Sequence, residues 1–144
     1  MHLKAPAGAG KTFVAMHMLL ERMRQQPDAL VLFVARNVAL CYFVVRWLAR
    51  RVPNALQRLK LLKRLFILFE PFHGGLHSVT IRHGRIETTP SERSDTEFAL
   101  VVVDESHHVY SDPKRKSFVE SHVSTRTGRL LISDVSQSLG WGMF

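Results

Sequence analysis

Glycine, lysine and threonine lie close together in one short segment near the start of the chain. The segment Leu3–Thr12, with the sequence LKAPAGAGKT, has glycines at positions 8 and 10 followed directly by Lys11 and Thr12. This ending fits the pattern G-x-x-x-x-G-K-[ST], with Ala5 at the position of the first glycine. Glycines let the backbone curl so that successive N–H groups face one concavity, and a helix that begins there adds the positive end of its dipole. The segment therefore predicts a binding site for the phosphates of a nucleotide.

The side chains of this loop have separate predicted tasks. We expect Lys11 to neutralise the β- and γ-phosphates and the Thr12 hydroxyl to bind Mg²⁺. The predicted nucleotide-binding residues are Ala7, Gly8, Ala9, Gly10, Lys11 and Thr12. The spacing does not fit G-x-G-x-x-G, so the loop does not indicate a dinucleotide fold.

Two adjacent carboxylates follow a strand-like apolar run in the second half of the chain. Residues Phe98–Val103 are continuously apolar and lead directly into Asp104 and Glu105. Ligands of open α/β sheets bind at the carboxyl ends of the strands. We expect Asp104 to reach Mg²⁺ opposite Thr12, and Glu105 to polarise the water that attacks the nucleotide. The alternative is an acidic pair that only favours the start of a helix.

Composition and charge bound the class of protein. The chain has 144 residues, 46% hydrophobic and 22% charged, which fits a single globular domain. Its net charge of +8 favours polyanionic partners such as nucleic acid. The single cysteine, Cys41, is compatible with a reducing compartment, and no apolar run approaches the roughly 20 residues of a membrane span. We expect an intracellular protein, cytoplasmic or nuclear, that does not enter a membrane.

Predicted strands and helices alternate along most of the chain. Unbroken apolar runs predict buried parallel strands, whereas periodic ones predict helices. The predicted strands are 1–4, 30–34, 65–69, 98–103 and 130–134, and the predicted helices are 11–24, 37–51 and 56–65. The last of these helices carries four cations between leucines. The basic run 113–116 is expected to be a solvated loop.

A β-hairpin interrupts the alternation. Its strands lie within 79–87, and a two-residue turn at His83-Gly84 would place Ile81 opposite Ile86. Residues 88–96 are expected to form a polar loop. We interpret 72–97 as an insertion into a single α/β domain that spans 1–144.

Four segments resemble motifs of one family, in the order in which that family has them. Ala5–Thr12 resembles a Walker A box, and Asp104–His107 resembles the DExH form of the Walker B box. Val31–Leu40 resembles helicase motif Ia, and Leu131–Gln137 resembles motif III. The chain is therefore similar to the first RecA-like domain of superfamily-one helicases and helicase-like ATPases.

This resemblance implies a fold, a reaction and partners. It implies a three-layer RecA-like P-loop sheet, mostly parallel, with the strand at 130–133 between the two Walker strands. It implies ATP and Mg²⁺ as cofactors, Lys11 and Glu105 as catalytic residues, and Gln137 as a sensor of the γ-phosphate. Arg36 and Asn37 would lie near the backbone of single-stranded DNA or RNA.

The family's second RecA-like domain is not expected within these residues. In the family that domain supplies arginine fingers, which account for roughly 10³–10⁵ of the rate in comparable NTPases. The isolated chain is therefore expected to bind nucleotide better than it hydrolyses it. A second domain or a protein partner would have to supply the finger.

Two further arginines have two interpretations. Arg46 and Arg50 share one face of the second predicted helix with Tyr42. They are either a solvated helix end that the helix dipole favours or a contact surface for nucleic acid.

Three functions are compatible with these patterns. The first is the nucleotide half of a helicase-like motor. The second is a regulatory nucleotide switch that moves no nucleic acid, and the third is a small-molecule phosphotransferase. The DExH box disfavours the third, and the absence of a guanine-reading N-K-x-D pattern favours adenine.

Overall fold

The apolar runs of the chain form the strands of one sheet. In the computed structural model, residues 2–5, 10–91 and 97–134 are described, and for 2–5 and 134 the description covers the backbone alone. The strands are β1 (His2–Ala5), β2 (Val31–Ala35), β3 (Leu65–Phe69), β4 (His77–Arg82), β5 (Arg85–Pro90), β6 (Leu100–Val103) and β7 (Gly128–Asp134). The helices are α1 (Gly10–Gln25), α2 (Val38–Arg50), α3 (Ala55–Leu62), α4 (Ser106–Tyr110) and α5 (Pro113–Glu120).

The sheet is mostly parallel, and its strand order is β1-β7-β6-β2-β3-β4-β5. The first five strands in this order run parallel to one another, whereas β4 and β5 are antiparallel at one edge. Strand β7 lies between β1 and β6, which carry the two Walker-like segments. The predicted RecA-like strand order is confirmed.

Helices cover both faces of the sheet, which explains why its central strands are apolar without alternation. Val31, Phe33 and Ala35 of β2 belong to the core beneath α1, α2 and α3. Leu32 and Val34 of the same strand belong to a second core with Val109 of α4 and Val119 of α5. The domain therefore has the three predicted layers.

The hairpin has the predicted register and extends the sheet. Ile81 pairs with Ile86, and His83 and Gly84 form the turn between β4 and β5. The polar loop expected at 88–96 is wrong at its start, because β5 continues to Pro90 and pairs Thr88 with Val79. Cross-strand hydrogen bonds thus override a locally polar sequence.

The basic run 113–116 is helical, so the prediction of a solvated loop is wrong. It forms the first half of α5, and Pro113 occupies the first turn, where a missing N–H costs nothing. The Asp112 carboxylate accepts a hydrogen bond from the Arg115 backbone N–H at 3.1 Å, which caps the helix. Burial of Val119 then fixes the helix against the sheet.

None of the helices in the described part of the chain is both long and apolar enough to cross a membrane.

Arg64 joins the end of α1 to the start of β3. Its guanidinium donates to the carbonyl oxygens of Met23 at 3.1 Å, Gln26 at 2.9 Å and Ala29 at 3.3 Å. Met23 is in the last turn of α1, where carbonyls have no partner within the helix, and the same guanidinium ties this turn to the loop that follows.

Replacing Arg64 should therefore destabilise the fold. We expect Arg64→Ala to lower the free energy of unfolding by about 1–3 kcal/mol, measured by urea denaturation. The exposed neighbour Lys63, changed to Ala, provides the control and should alter stability by less than about 0.5 kcal/mol. Equal effects of the two substitutions would contradict the assigned role of Arg64.

Candidate functional site

Lys11 lies at the carboxyl edge of the parallel sheet. It belongs to the first turn of α1, which begins shortly after β1 ends at that edge. Its Nζ donates a hydrogen bond to the backbone carbonyl oxygen of Ser133 at 2.8 Å, in a partly buried position. Since β7 lies beside both β1 and β6, this bond holds the ammonium group between the ends of the two Walker-like strands.

Asp104 is at the same edge, immediately after β6. Its backbone N–H donates to the Val34 carbonyl oxygen at 2.8 Å, which continues the ladder with β2. Burial, and then the charge of Glu105, raise the pKa of the Asp104 carboxyl to about 6, while the Lys11 ammonium opposes that rise. A carboxyl with a perturbed pKa beside a cation at this edge is typical of a functional site.

Glu105 occupies a strained backbone conformation. It has φ 49° and ψ 51°, in the left-handed region, at the position before α4. A residue with a Cβ pays roughly 1–2 kcal/mol there, and such conformations cluster at functional sites. The Glu105 side chain makes no capping hydrogen bond to α4. Instead its Oε2 lies 3.6 Å from Nη1 of Arg36, with 44% and 49% of the two side chains exposed.

Arg36 and Asn37 follow β2 and so lie beside the carboxylates. The Asn37 side chain accepts a hydrogen bond from the Leu40 backbone N–H at 3.0 Å and caps α2. The structure therefore gives Asn37 a structural task and brings Arg36 to Glu105.

Arg46 and Arg50 are not part of this cluster. They lie on α2 beyond its second turn, roughly 14–20 Å along the helix axis from Asn37. The residues predicted to contact nucleic acid therefore lie in two separate places. Arg36 and Asn37 are at the carboxyl edge, and Arg46 and Arg50 are towards the end of α2.

Thr12 and Asp104 supply the kind of atoms that Mg²⁺ prefers. A hydroxyl and a carboxylate are hard oxygen ligands, and Mg²⁺ usually takes one or two protein ligands together with phosphate and water. The partly buried Asp104 carboxyl bears an unfavourable desolvation that a cation would relieve. The chemistry of these two residues fits the ion.

Several predicted site residues lie outside the described residues. They are Ala7, Gly8, Ala9 and Gln137. Gly10 is described, and a Cβ added there would meet no described atom within 4 Å. Packing of the described residues therefore leaves space beside the loop end.

Two contacts of the site were absent from the sequence interpretation. The Ser133 carbonyl oxygen is a main-chain group, so no residue type could have indicated it. The Arg36–Glu105 pair could have been inferred from strand order, because β2 and β6 are neighbours and both residues follow a strand end.

The fold and the carboxyl-edge cluster together define a class of protein. The strand order, with a P-loop-like segment after β1 and Asp104-Glu105 after β6, is that of a RecA-like P-loop domain of the helicase-type ATPase class. Residues 1–127 match the family described as "Type III restriction enzyme, res subunit". The match covers most of the 144 residues, so the chain belongs to this family.

Two solved structures show distant similarity. One is the ATPase domain of a Thermus phage large terminase in a mutant form, at 12% identity and a TM-score of 0.47 over 92% of this chain. The chain spans only 58% of that structure's length. The other is a purine phosphoribosyltransferase from Pyrococcus horikoshii, at 13% identity and a TM-score of 0.31, covering 99% of this chain and 95% of that one. At these scores neither neighbour bears on function. No curated protein matches the sequence.

The raised pKa of Asp104 predicts a specific dependence of stability on pH. Its pKa is about 6 in the folded protein and about 3.9 in an unfolded chain, so between these values the folded state binds more protons. The free energy of unfolding should therefore fall as pH rises from about 4 through about 6, by on the order of 3 kcal/mol.

Asp104→Asn should remove this fall and be the more stable protein at pH 7. Urea denaturation across the pH range measures the effect, with the exposed Asp28→Asn as the matched control. A wild-type profile that runs parallel to that of Asp104→Asn would contradict the assigned environment of Asp104.

Proposed function

We propose that this chain binds Mg-ATP and hydrolyses it as the nucleotide half of a helicase-like, nucleic-acid-dependent ATPase. The proposal is supported by position: Lys11, through its hydrogen bond to the Ser133 carbonyl oxygen, and Asp104, directly after β6, lie at the same carboxyl edge of the sheet. A phosphate-binding lysine and a metal-binding carboxylate must lie on either side of one triphosphate, and strand order supports that arrangement here.

The loop and its lysine would bind the phosphates. Backbone N–H groups of residues 7–10 would donate to phosphate oxygens, as the N-terminus of a helix favours. Lys11 would exchange its hydrogen bond with the Ser133 carbonyl for one with a β- or γ-phosphate oxygen. The Ser133 carbonyl oxygen keeps the Lys11 ammonium at the carboxyl edge before nucleotide binds. Binding would therefore cost little side-chain entropy at Lys11.

Thr12 and Asp104 would hold Mg²⁺. The ion, when bound, neutralises charge that develops on the phosphates. Asp104 would then be ionised, because a nearby positive charge favours the carboxylate over the neutral acid. The site thus holds a carboxyl that a cation stabilises in its charged form.

Glu105 would orient and polarise the attacking water. Its pairing with Arg36 is an exposed contact, and such pairs are worth about 0–1 kcal/mol, so the carboxylate is readily released. Gln137 would sense the γ-phosphate, as the superfamily-one resemblance suggests.

Nucleic acid is the proposed partner, with Arg36 as the point of coupling. A single-stranded DNA or RNA phosphate beside Arg36 and Asn37 would compete with Glu105 for the guanidinium. Release of Glu105 towards water would then link polynucleotide binding to hydrolysis. A second RecA-like domain or a protein partner would supply the arginine finger, and an intracellular location follows from these partners.

Two substitutions separate nucleotide binding from hydrolysis. Lys11→Ala should weaken Mg-ATP binding by 100-fold or more, roughly, because two phosphate charges lose their cation. Glu105→Gln should keep binding within about threefold and lower turnover by roughly 10²–10⁴, the range for loss of a general base. Calorimetric titration and a phosphate-release assay measure the two effects.

Lys114→Ala, an exposed lysine on α5, is the control for Lys11 and should change neither quantity. Unchanged Mg-ATP affinity in Lys11→Ala would contradict the site, and equal turnover in wild type and Glu105→Gln would remove Glu105 from its role. If turnover does not respond to single-stranded DNA or RNA, a regulatory nucleotide switch is the better description.

A further inference from the structure

A basic groove lies on the domain away from the Lys11–Asp104 cluster. Helix α2, helix α3 and the β4–β5 hairpin enclose about 410 Å³ between them. The residues that line the groove are Arg46, Ala49, Arg50, Arg58, Ile81, Gly84 and Ile86. Three of them are arginines and none is acidic.

The groove lies at the amino edge of the parallel strands. Helix α2 starts after the carboxyl end of β2 and runs back, so Arg46 and Arg50 lie towards the opposite edge. Strand β4 is antiparallel to β3, so the hairpin turn at Gly84 also points to the amino edge. The length of a five-residue strand, roughly 16 Å, separates the two edges. The groove is therefore distinct from the site of Lys11, Asp104 and Arg36.

The segment that forms two walls of the groove, helices α2 and α3, carries charge of one sign. From Asp28 to Glu70 the intervening chain has no acidic residue. Its cations on α2, on α3 and in the connection between them are Arg46, Arg50, Arg51, Arg58 and Lys60. On the hairpin, the Glu87 carboxylate lies 3.3 Å from Nε of Arg82, which offsets its charge locally. Such a surface favours a polyanion.

The arginines are spaced to contact a chain of phosphates. Arg46 and Arg50 are exposed and one helical turn apart, so their Cβ atoms are about 6 Å from each other. Neither forms an ion pair within the described ranges 10–91 and 97–134. Arg58 is held in place by a hydrogen bond from its Nη1 to the Val52 carbonyl oxygen at 3.2 Å. Guanidinium groups bind phosphate through two parallel hydrogen bonds.

The hairpin supplies an apolar wall to the same groove. Ile81 and Ile86 are a cross-strand pair, partly buried against the core beneath α2. A groove with cations on one side and branched apolar side chains on the other suits a strand with phosphates on one side and bases on the other. A purely acidic segment such as polyglutamate would leave this apolar side without a contact.

We infer that the groove between α2, α3 and the β4–β5 hairpin binds the phosphate backbone of single-stranded nucleic acid, as a second contact apart from the ATP edge. The inference rests on the proposed function only in taking nucleic acid as the partner. Binding there depends on phosphates, so it is independent of base sequence and sensitive to salt.

The test compares two double variants that lose the same charge. Arg46→Gln/Arg50→Gln changes the groove, and Lys114→Gln/Lys116→Gln changes exposed lysines of α5 on the other face of the sheet. Fluorescence anisotropy with labelled oligothymidine measures affinity between about 50 and about 200 mM salt. Mg-ATP affinity is measured on each protein in parallel.

The groove variant should bind oligothymidine roughly tenfold more weakly at about 50 mM salt, with a salt slope smaller by about 1.4, or about 0.7 for each lost phosphate contact. The α5 variant should change the slope by less than about 0.3. Mg-ATP affinity should be unchanged in both variants. Arg46→Lys/Arg50→Lys, which keeps charge and helix propensity, should recover most of the slope and guards against a folding defect.

Equal losses in the groove and α5 variants would overturn the inference. The inference would also be overturned if Arg36→Ala lost oligothymidine binding while the groove variant kept it. The proposed function would then stand, with Arg36 at the carboxyl edge as the contact for nucleic acid. A third result would be that the wild type binds polyglutamate more tightly than oligothymidine and loses that binding in the groove variant. This result would overturn the inference and indicate an acidic protein partner for the groove. Absence of Mg-ATP binding by the wild type would instead contradict the proposed function, independently of the groove.

Discussion

A lysine and a partly buried aspartate near the same strand ends impose the main constraint on this domain. The Lys11 ammonium donates to the Ser133 carbonyl, and its charge opposes the rise in the pKa of Asp104 that burial causes. Neither group is well solvated, and the carboxylate lacks a direct salt bridge within the described residues. A domain that keeps such a carboxyl in its sheet edge gives up stability at neutral pH, which is the expected cost of a site that binds a cation.

The rest of the fold serves to hold this arrangement. Parallel strands buried on both faces bring β1, β7 and β6 to one edge, so residues more than ninety positions apart meet there. The strained backbone of Glu105 turns the chain from β6 into α4 and directs its carboxylate towards Arg36. The amino edge, where helices α1 and α2 end and the hairpin turns, collects arginines instead. Phosphate chemistry at one edge and polyanion binding at the other would give the domain two separate uses of positive charge.

The strands and the core were largely predictable from the sequence, because unbroken apolar runs such as 65–69 leave few alternatives to a buried parallel strand. The position of β7 between β1 and β6 was implied only by the family resemblance. The register of Ile81 with Ile86 followed from a two-residue turn. Helix α5 was missed because its first half is basic and polar. It is fixed by the Asp112 cap, the burial of Val119 and the ion pair of Glu120 with Arg129. At the site, side-chain types predicted roles for Lys11 and Asp104, which stay predictions, and the structure places both residues at the carboxyl edge. The Ser133 carbonyl and the division of Arg36 from Arg46 depend on backbone geometry that residue types do not encode.

In the proposed site Lys11 and Asp104 face one metal-bound triphosphate. Carbon-13 NMR of the aspartate carboxyl groups, with Asp104→Asn to assign the signal, measures the pKa of Asp104 with and without saturating Mg-ATP. The account predicts a pKa of about 6 in the free protein that falls below about 4 in the complex, because a bound cation favours the carboxylate. A pKa of Asp104 that stays the same when Mg-ATP binds would contradict it.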